Sequence, residues 1–170
     1  MTKLPQEIFK AYDIRGIVDK SLTETVTHQI GQAIGTEATL AGDRSVVIGR
    51  DGRLSGPSLA TALSEGIRST GCDVIDIGMV PTPVTYFATH HLETGSAVSI
   101  TGSHNPPEYN GLKVMIAGET LAGDRIQRLR KRIEEQDLLN GNGAHHYESV
   151  IEAYAARITG DITLQRPLKV

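Results

Sequence analysis

The chain has 170 residues, 39% of them hydrophobic, and sets 17 Lys and Arg against 20 Asp and Glu for a net charge of −3. That length suffices for one ordinary core, and the near balance of charge argues against nucleic acid or an anionic membrane as a bulk partner. The single cysteine, Cys72, excludes a disulfide within the chain, and no stretch approaches the ~20 apolar residues of a bilayer span or the apolar run of a signal peptide, so a cytoplasmic protein is expected.

Taken in chain order, Ser21-Leu22-Thr23-Glu24 has the spacing of a capping box, and Leu22, Val26, Ile30 and Ile34 then recur every four residues on one helical face. Ser45 to Gly49 is a short β-branched run. Ser55 and Pro57 open a second helix with Leu59, Leu63 and Ile67 inward, and Gly71 stops it. Asp73 to Ile77 reads as the next strand, and Pro81-Thr82-Pro83 introduces a helix carrying Val84, Phe87, Ala88 and Leu92. This alternation predicts a mainly parallel sheet covered by helices on both faces, with function in the loops after the strands.

The pattern changes after Ser96 to Ile100. The next strand, Leu112 to Ile116, follows too closely for a helical crossover, so the pair is expected to be antiparallel. Ile126, Leu129 and Ile133 mark a fourth helix. After a Gly- and Asn-rich connection over residues 137–146, Val150, Ile151, Tyr154 and Ile158 mark a fifth. The expected fold is a three-layer α/β/α domain over residues 1–160, with a mixed, mostly parallel four-stranded sheet whose last strand is antiparallel. Residues 161–170 read as the truncated start of a linker or further strand, and the natural polypeptide is expected to continue.

Unusual residues concentrate in the run Thr101-Gly102-Ser103-His104-Asn105-Pro106-Pro107-Glu108-Tyr109-Asn110-Gly111. Gly102 permits close approach of another group, and the two prolines stiffen the loop and push Asn105 toward an extended backbone. Ser103 is then displayed near its apex. From composition alone a polar turn accounts for these residues equally well. A serine-hydrolase nucleophile elbow does not, because that motif needs glycine two residues after the serine, where Asn105 stands.

The run from Thr101 through Lys113 resembles the phosphoserine loop of the α-D-phosphohexomutase superfamily. Three further segments resemble the same family in order: Lys10 to Gly16, Gly49 to Ser55 and Gly78 to Pro83. They are similar to its bacterial phosphomannomutase/phosphoglucomutase branch over essentially the whole chain. The resemblance implies that Ser103 carries a phosphoryl group, donates it to a hexose 1- or 6-phosphate to form a 1,6-bisphosphate, and recovers the other phosphate after the sugar reorients. Hexose 1,6-bisphosphate is thereby both intermediate and activator. It further implies magnesium bound through a phosphate oxygen on Ser103, with other ligands from domains absent from this sequence.

Carried over residue by residue, the resemblance makes Lys113 an acid/base group or charge stabiliser, against the alternative of a solvent-facing strand lysine. Arg15 falls close to the reacting phosphoryl group, where a five-donor guanidinium suits phosphate oxygens. Tyr12 either contacts substrate or packs on the next element. His104 either orients the phosphate or braces the loop, and Asn105 divides the same way. Arg50, Asp51 and Arg53 follow a strand end and serve either the site or an ion pair between loops.

The basic run Arg125, Arg128, Arg130, Lys131 and Arg132 reads as a solvated helix face. The pairs His90-His91 and His145-His146 lack partners at zinc-ligand spacing. The functional expectation is the phosphoserine-bearing domain of a mannose/glucose phosphomutase, acting on phosphosugars with further domains of its own polypeptide and showing negligible turnover alone. Alternatives are a phosphoglucosamine mutase domain and a non-catalytic phosphosugar-binding module.

Overall fold

The computed structural model describes residues 4–163 and 166. Its strands are β1 (Ile14–Ile17), β2 (Ser45–Arg50), β3 (Asp73–Met79), β4 (Ser96–Ile100), β5 (Tyr109–Ile116), β6 (Glu119–Thr120) and β7 (His145–Tyr147). Its α-helices are α1 (Glu24–Leu40), α2 (Gly56–Arg68), α3 (Thr82–His91), α4 (Asp124–Glu135) and α5 (Ile151–Asp161).

The sheet order is β1-β5-β4-β2-β3-β7, with β6 also paired to β5. Strands β4, β2, β3 and β7 run parallel, and β5 is antiparallel to both β4 and β1. Alternate residues of β2 divide the interior into two cores, as the two-residue period of a strand requires. Val46 and Ile48 face α1, α2 and α4, while Val47 faces the smaller cluster under α3 with Val84, Ala88 and Val150. This is the three-layer arrangement expected from the alternation.

Among the described residues the sheet has seven strands, where four were expected. The additional strands β1, β6 and β7 are two to four residues long. Segments that short carry no periodicity of their own and become strands only because a longer neighbour offers a free edge. Strand β5 likewise starts at Tyr109 rather than Leu112, since Ile17 pairs with Tyr109 and Gly16 with Asn110.

The start of α1 also differs from expectation. Thr23 is the N-cap, its Oγ1 accepting the Val26 N–H at 3.2 Å, while the hydroxyl of Ser21 accepts the Ile17 N–H at 3.0 Å. Leu22 is fully buried ahead of the helix. Anchoring it in the core consumes the turn that a cap at Ser21 would have used. Helices α1 and α2 approach closely at glycines: a Cβ on Gly66 would overlap the His28 carbonyl, and one on Gly31 the Leu63 carbonyl.

Helix α5 forms as expected but buries none of its own residues. Val150, just before it, is buried, and Tyr154 meets Phe87 edge-on at 5.2 Å, whereas Ile151 and Ile158 are 46% and 41% exposed. Apolar spacing identified a helix with a face to cover, but the small cluster under α3 reaches only its first turns. Gly160 and Asp161 close α5. Of the linker or strand start expected over residues 161–170, Asp161 belongs to α5, Ile162, Thr163 and Arg166 are in no strand, and the rest lie outside the described residues.

Candidate functional site

Strand β4 delivers the chain to the loop at residues 101–108, and β5 carries it back antiparallel, with Ile100 opposite Leu112. At the apex Ser103 has a φ of 51°, a left-handed conformation uncommon for a residue with a Cβ. Its N–H is held by Thr101 Oγ1 at 3.0 Å, and the Asn105 N–H bonds the Gly102 carbonyl at 3.1 Å. The Ser103 side chain is exposed, with Oγ 3.3 Å from His104 Nδ1. The loop is therefore closed on its own backbone and open at the hydroxyl.

Two arginines from other elements complete it. Arg15 on β1 lies opposite Gly111 of β5; its side chain is clasped by Asp13 at 3.0 and 2.5 Å and donates to the carbonyls of Gly102 at 2.9 Å and Thr101 at 3.3 Å. Arg53, from the loop after β2, donates to the carbonyls of Asn105 at 2.6 Å, Pro106 at 2.7 Å, Tyr109 at 2.9 Å and Ser103 at 3.3 Å. Asp51 joins the two loops: its carboxylate accepts the Gly102 N–H at 2.9 Å and the Arg53 N–H at 3.0 Å. Of the two roles open for Asp51 and Arg53, the structure has them bracing neighbouring loops. Arg50 faces Asp76 at 4.0 Å beside a separate cleft of about 390 Å³.

Lys113 is half-buried on β5 opposite Ser99 and forms no salt bridge among the described residues. Gly111 and Lys113 are two residues apart on one strand and so share a sheet face, the face on which Arg15 lies. Tyr12 is 76% exposed, so packing on a neighbouring element does not account for it. Asn105 Nδ2 donates to the Gly102 carbonyl at 3.3 Å, the loop-bracing alternative for that residue.

Asp13 and Thr101 carry contacts that the sequence reading left without a role. Each stands two residues from the group it holds, Arg15 and the Ser103 N–H respectively. That i to i+2 spacing is the available signal in sequence. Away from the loop, Arg125, Arg130 and Lys131 pair with Glu119, Glu134 and Glu135 as expected of a solvated helix face, but Arg132 departs from it: its side chain is 11% exposed and bonds Glu37 of α1 at 2.9 Å, because α4 packs on that helix. His91 stacks on Phe87, and His145 meets Tyr147 edge-on.

Residues 6–140 match the sequence model of the phosphoglucomutase/phosphomannomutase α/β/α domain I. The chain belongs to this family. It is 51% identical over 167 residues to the phosphomannomutase/phosphoglucomutase of Pseudomonas aeruginosa strain PAO1, covering 98% of this chain and 36% of that protein. It is 45% identical over 172 residues to a phosphoglucomutase of Neisseria meningitidis serogroup B strain MC58, covering 100% of this chain and 37% of the relative. A crystal structure of a family protein from Burkholderia thailandensis superposes with a TM-score of 0.93 at 47% identity, over 98% of this chain and 38% of that one. The chain thus spans a little over a third of the length of these mutases.

Magnesium is implied by the family resemblance, and the donor set around Ser103 bears on it. The nearby carboxylates of Asp13 and Asp51 are engaged by Arg15 and by two backbone N–H groups. Among the described residues no group of three or more His, Cys, Asp or Glu side chains converges. A phosphate oxygen, were Ser103 phosphorylated, would be a hard donor of the kind magnesium takes, so these residues would fit the ion as the source of one ligand.

Proposed function

We propose that this chain is the phosphoserine-bearing domain of a phosphohexomutase that interconverts the 1- and 6-phosphates of mannose or glucose through a hexose 1,6-bisphosphate. The observation that carries the reading is Ser103, held left-handed at a hairpin apex with its hydroxyl outward while the surrounding carbonyls turn onto Arg15 and Arg53.

In the forward step, a free hydroxyl of the bound hexose phosphate attacks the phosphoryl group on Ser103. A new P–O bond forms as the bond between phosphorus and Ser103 Oγ breaks. The sugar hydroxyl loses a proton to a base, and the Ser103 oxygen gains one. His104 Nδ1, 3.3 Å from Oγ, and Lys113 are the proton-carrying groups this chain offers. The reverse step, on the bisphosphate after it reorients, returns the second phosphate to Ser103 and releases the isomeric monophosphate. Lys113 offsets the charge of a phosphoserine, about −1.5 to −2, as a second phosphate approaches, while Arg15, its donors held by Asp13 and the carbonyls of Thr101 and Gly102, acts on the reacting group by fixing the loop beneath Ser103. Tyr12 and His104 complete the proposed substrate contacts, and Asn105, whose Nδ2 braces the loop, joins them only through its Oδ1.

Magnesium, when bound, would supply further charge neutralisation, and in this domain the Ser103 phosphate would hold it. Remaining ligands, sugar recognition and the clamp on the distal phosphate are assigned to parts of the protein beyond this domain. The cytoplasmic setting belongs to the same proposal, and no helix among the described residues is long and apolar enough to cross a membrane.

The test incubates the protein, expressed as its own gene encodes it, with glucose 1,6-bisphosphate and locates phosphate by peptide mass spectrometry. Label on Ser103 is expected. Label elsewhere, or an active protein without label, overturns the assignment.

A further inference from the structure

Arg53 lies in the loop between β2 and α2, fifty positions from Ser103, yet four carbonyls of the phosphoryl-carrying loop and the strand that follows it converge on its side chain. A guanidinium has five N–H donors in a planar fork. The two terminal nitrogens of Arg53 contact four carbonyls, those of Ser103, Asn105, Pro106 and Tyr109, and Nε faces Asp51 Oδ2 at 3.7 Å. Its side chain is only 18% exposed. With its fork committed to the backbone, Arg53 is not available as a phosphate ligand.

Resting on the phosphoserine reading above, we infer that Arg53 is a positioning residue for phosphoryl transfer: it gathers the loop's carbonyls and thereby fixes where Ser103 presents its oxygen. Two physical effects follow from one placement. Carbonyl oxygens drawn together without a cation would repel one another, and the left-handed backbone at Ser103 persists only while the surroundings impose it. The carbonyl dipoles, whose negative ends would oppose a phosphoryl group carrying about two negative charges, are instead turned onto a positive charge behind the loop. Asp51 accepts the backbone N–H of Arg53, faces its Nε at 3.7 Å, and ties the same loop at the Gly102 N–H. A lysine offers its donors from a single point and cannot span acceptors spread from position 103 to 109.

The experiment follows transfer from glucose 1,6-bisphosphate to Ser103 in the protein as its gene encodes it, for the unaltered enzyme, Arg53→Ala and Arg53→Lys. Mutase kcat and KM, circular dichroism, and added guanidinium or urea complete the set. The expected result is a loss of about 100-fold in kcat for Arg53→Ala with KM little changed, as misplacement of a reacting group gives. Guanidinium should restore part of that loss, urea should not, and Arg53→Lys should fold and remain slow. If the unaltered enzyme is not labelled at Ser103, the phosphoserine reading fails. If it is labelled and either folded variant is labelled at the same rate, the role of Arg53 is overturned. Overturning it equally are a loss confined to KM, a defect that guanidinium leaves untouched, or two variants that both fail to fold, since Arg53 would then act on substrate binding or on the fold as a whole.

Discussion

Gly102 and Arg53 compete for one space: a Cβ at position 102 would overlap the Nε and Cζ atoms of the Arg53 guanidinium. The glycine before the serine is thus required by an arginine about fifty positions earlier in the chain. Its own backbone is not among those with positive φ.

Gly102→Ala should therefore displace Arg53 and release its carbonyl contacts. The expected cost is about 1–3 kcal/mol, the range for overpacking a filled site, read by urea denaturation. Combined with Arg53→Ala, which empties the space, the two changes should cost clearly less than their sum. Strict additivity would show that the two residues do not interact.

Asp51→Asn preserves size but replaces one acceptor oxygen by an NH2 group, which then faces the N–H of either Gly102 or Arg53. One of these donors is left opposed by another donor, at a cost of about 1–3 kcal/mol. Amide exchange at Gly102 should accelerate relative to the core strands, and an unchanged exchange rate would contradict the contact.

Lys113→Met removes a charge that forms no salt bridge among the described residues, so stability should move by less than about 0.5 kcal/mol. Mutase turnover should nevertheless fall by about 100-fold or more if Lys113 transfers a proton or stabilises charge. Near-normal turnover would return Lys113 to the role of an ordinary strand lysine.

Burial pushes the Cys72 thiol up from 9.0 to about 11, with Asp73 and Asp43 adding to the rise and a hydrogen bond with Thr39 opposing it. The thiol is 1% exposed. Because the folded value lies above the ordinary one, the stabilisation is complete below about pH 9 and is lost as the pH climbs toward 11. Iodoacetamide at pH 8 should label the native protein slowly and the urea-unfolded protein quickly. The fall in Tm between pH 8 and 10.5 should be shallower in Cys72→Ala. Equal labelling rates would place the thiol at the surface.

Gly66→Ala tests the packing of α1 on α2. An alanine in a helix interior gains about 1 kcal/mol over glycine, but here its Cβ would overlap the backbone carbonyl of His28, which cannot rotate aside. Steric cost should outweigh propensity and leave a net loss of about 1–2 kcal/mol, seen as a lower Tm. A raised Tm would mean that the helices part without penalty.

The long elements were legible in the sequence because their information is local. Val26, Ile30 and Ile34 on α1, and Leu59, Leu63 and Ile67 on α2, recur at helical spacing and are all buried. The eleven-residue gap between Ile100 and Leu112 was too short for a crossover and pointed to an antiparallel β5, as found. The family was legible through residue order alone, since the run from Thr101 to Lys113 resembles a phosphoserine loop and residues 6–140 match the family's first domain. Tertiary structure decided what local pattern does not encode. The edge strands β1, β6 and β7 exist because β5 and β3 had free edges to fill, and α5 is left largely uncovered because the core beneath α3 is small. Above all, the roles of Arg53 and Asp51 came from contacts across fifty residues: the sequence allowed a ligand or a brace, and only the fold, by bringing the loop after β2 beneath the loop after β4, made the guanidinium the brace.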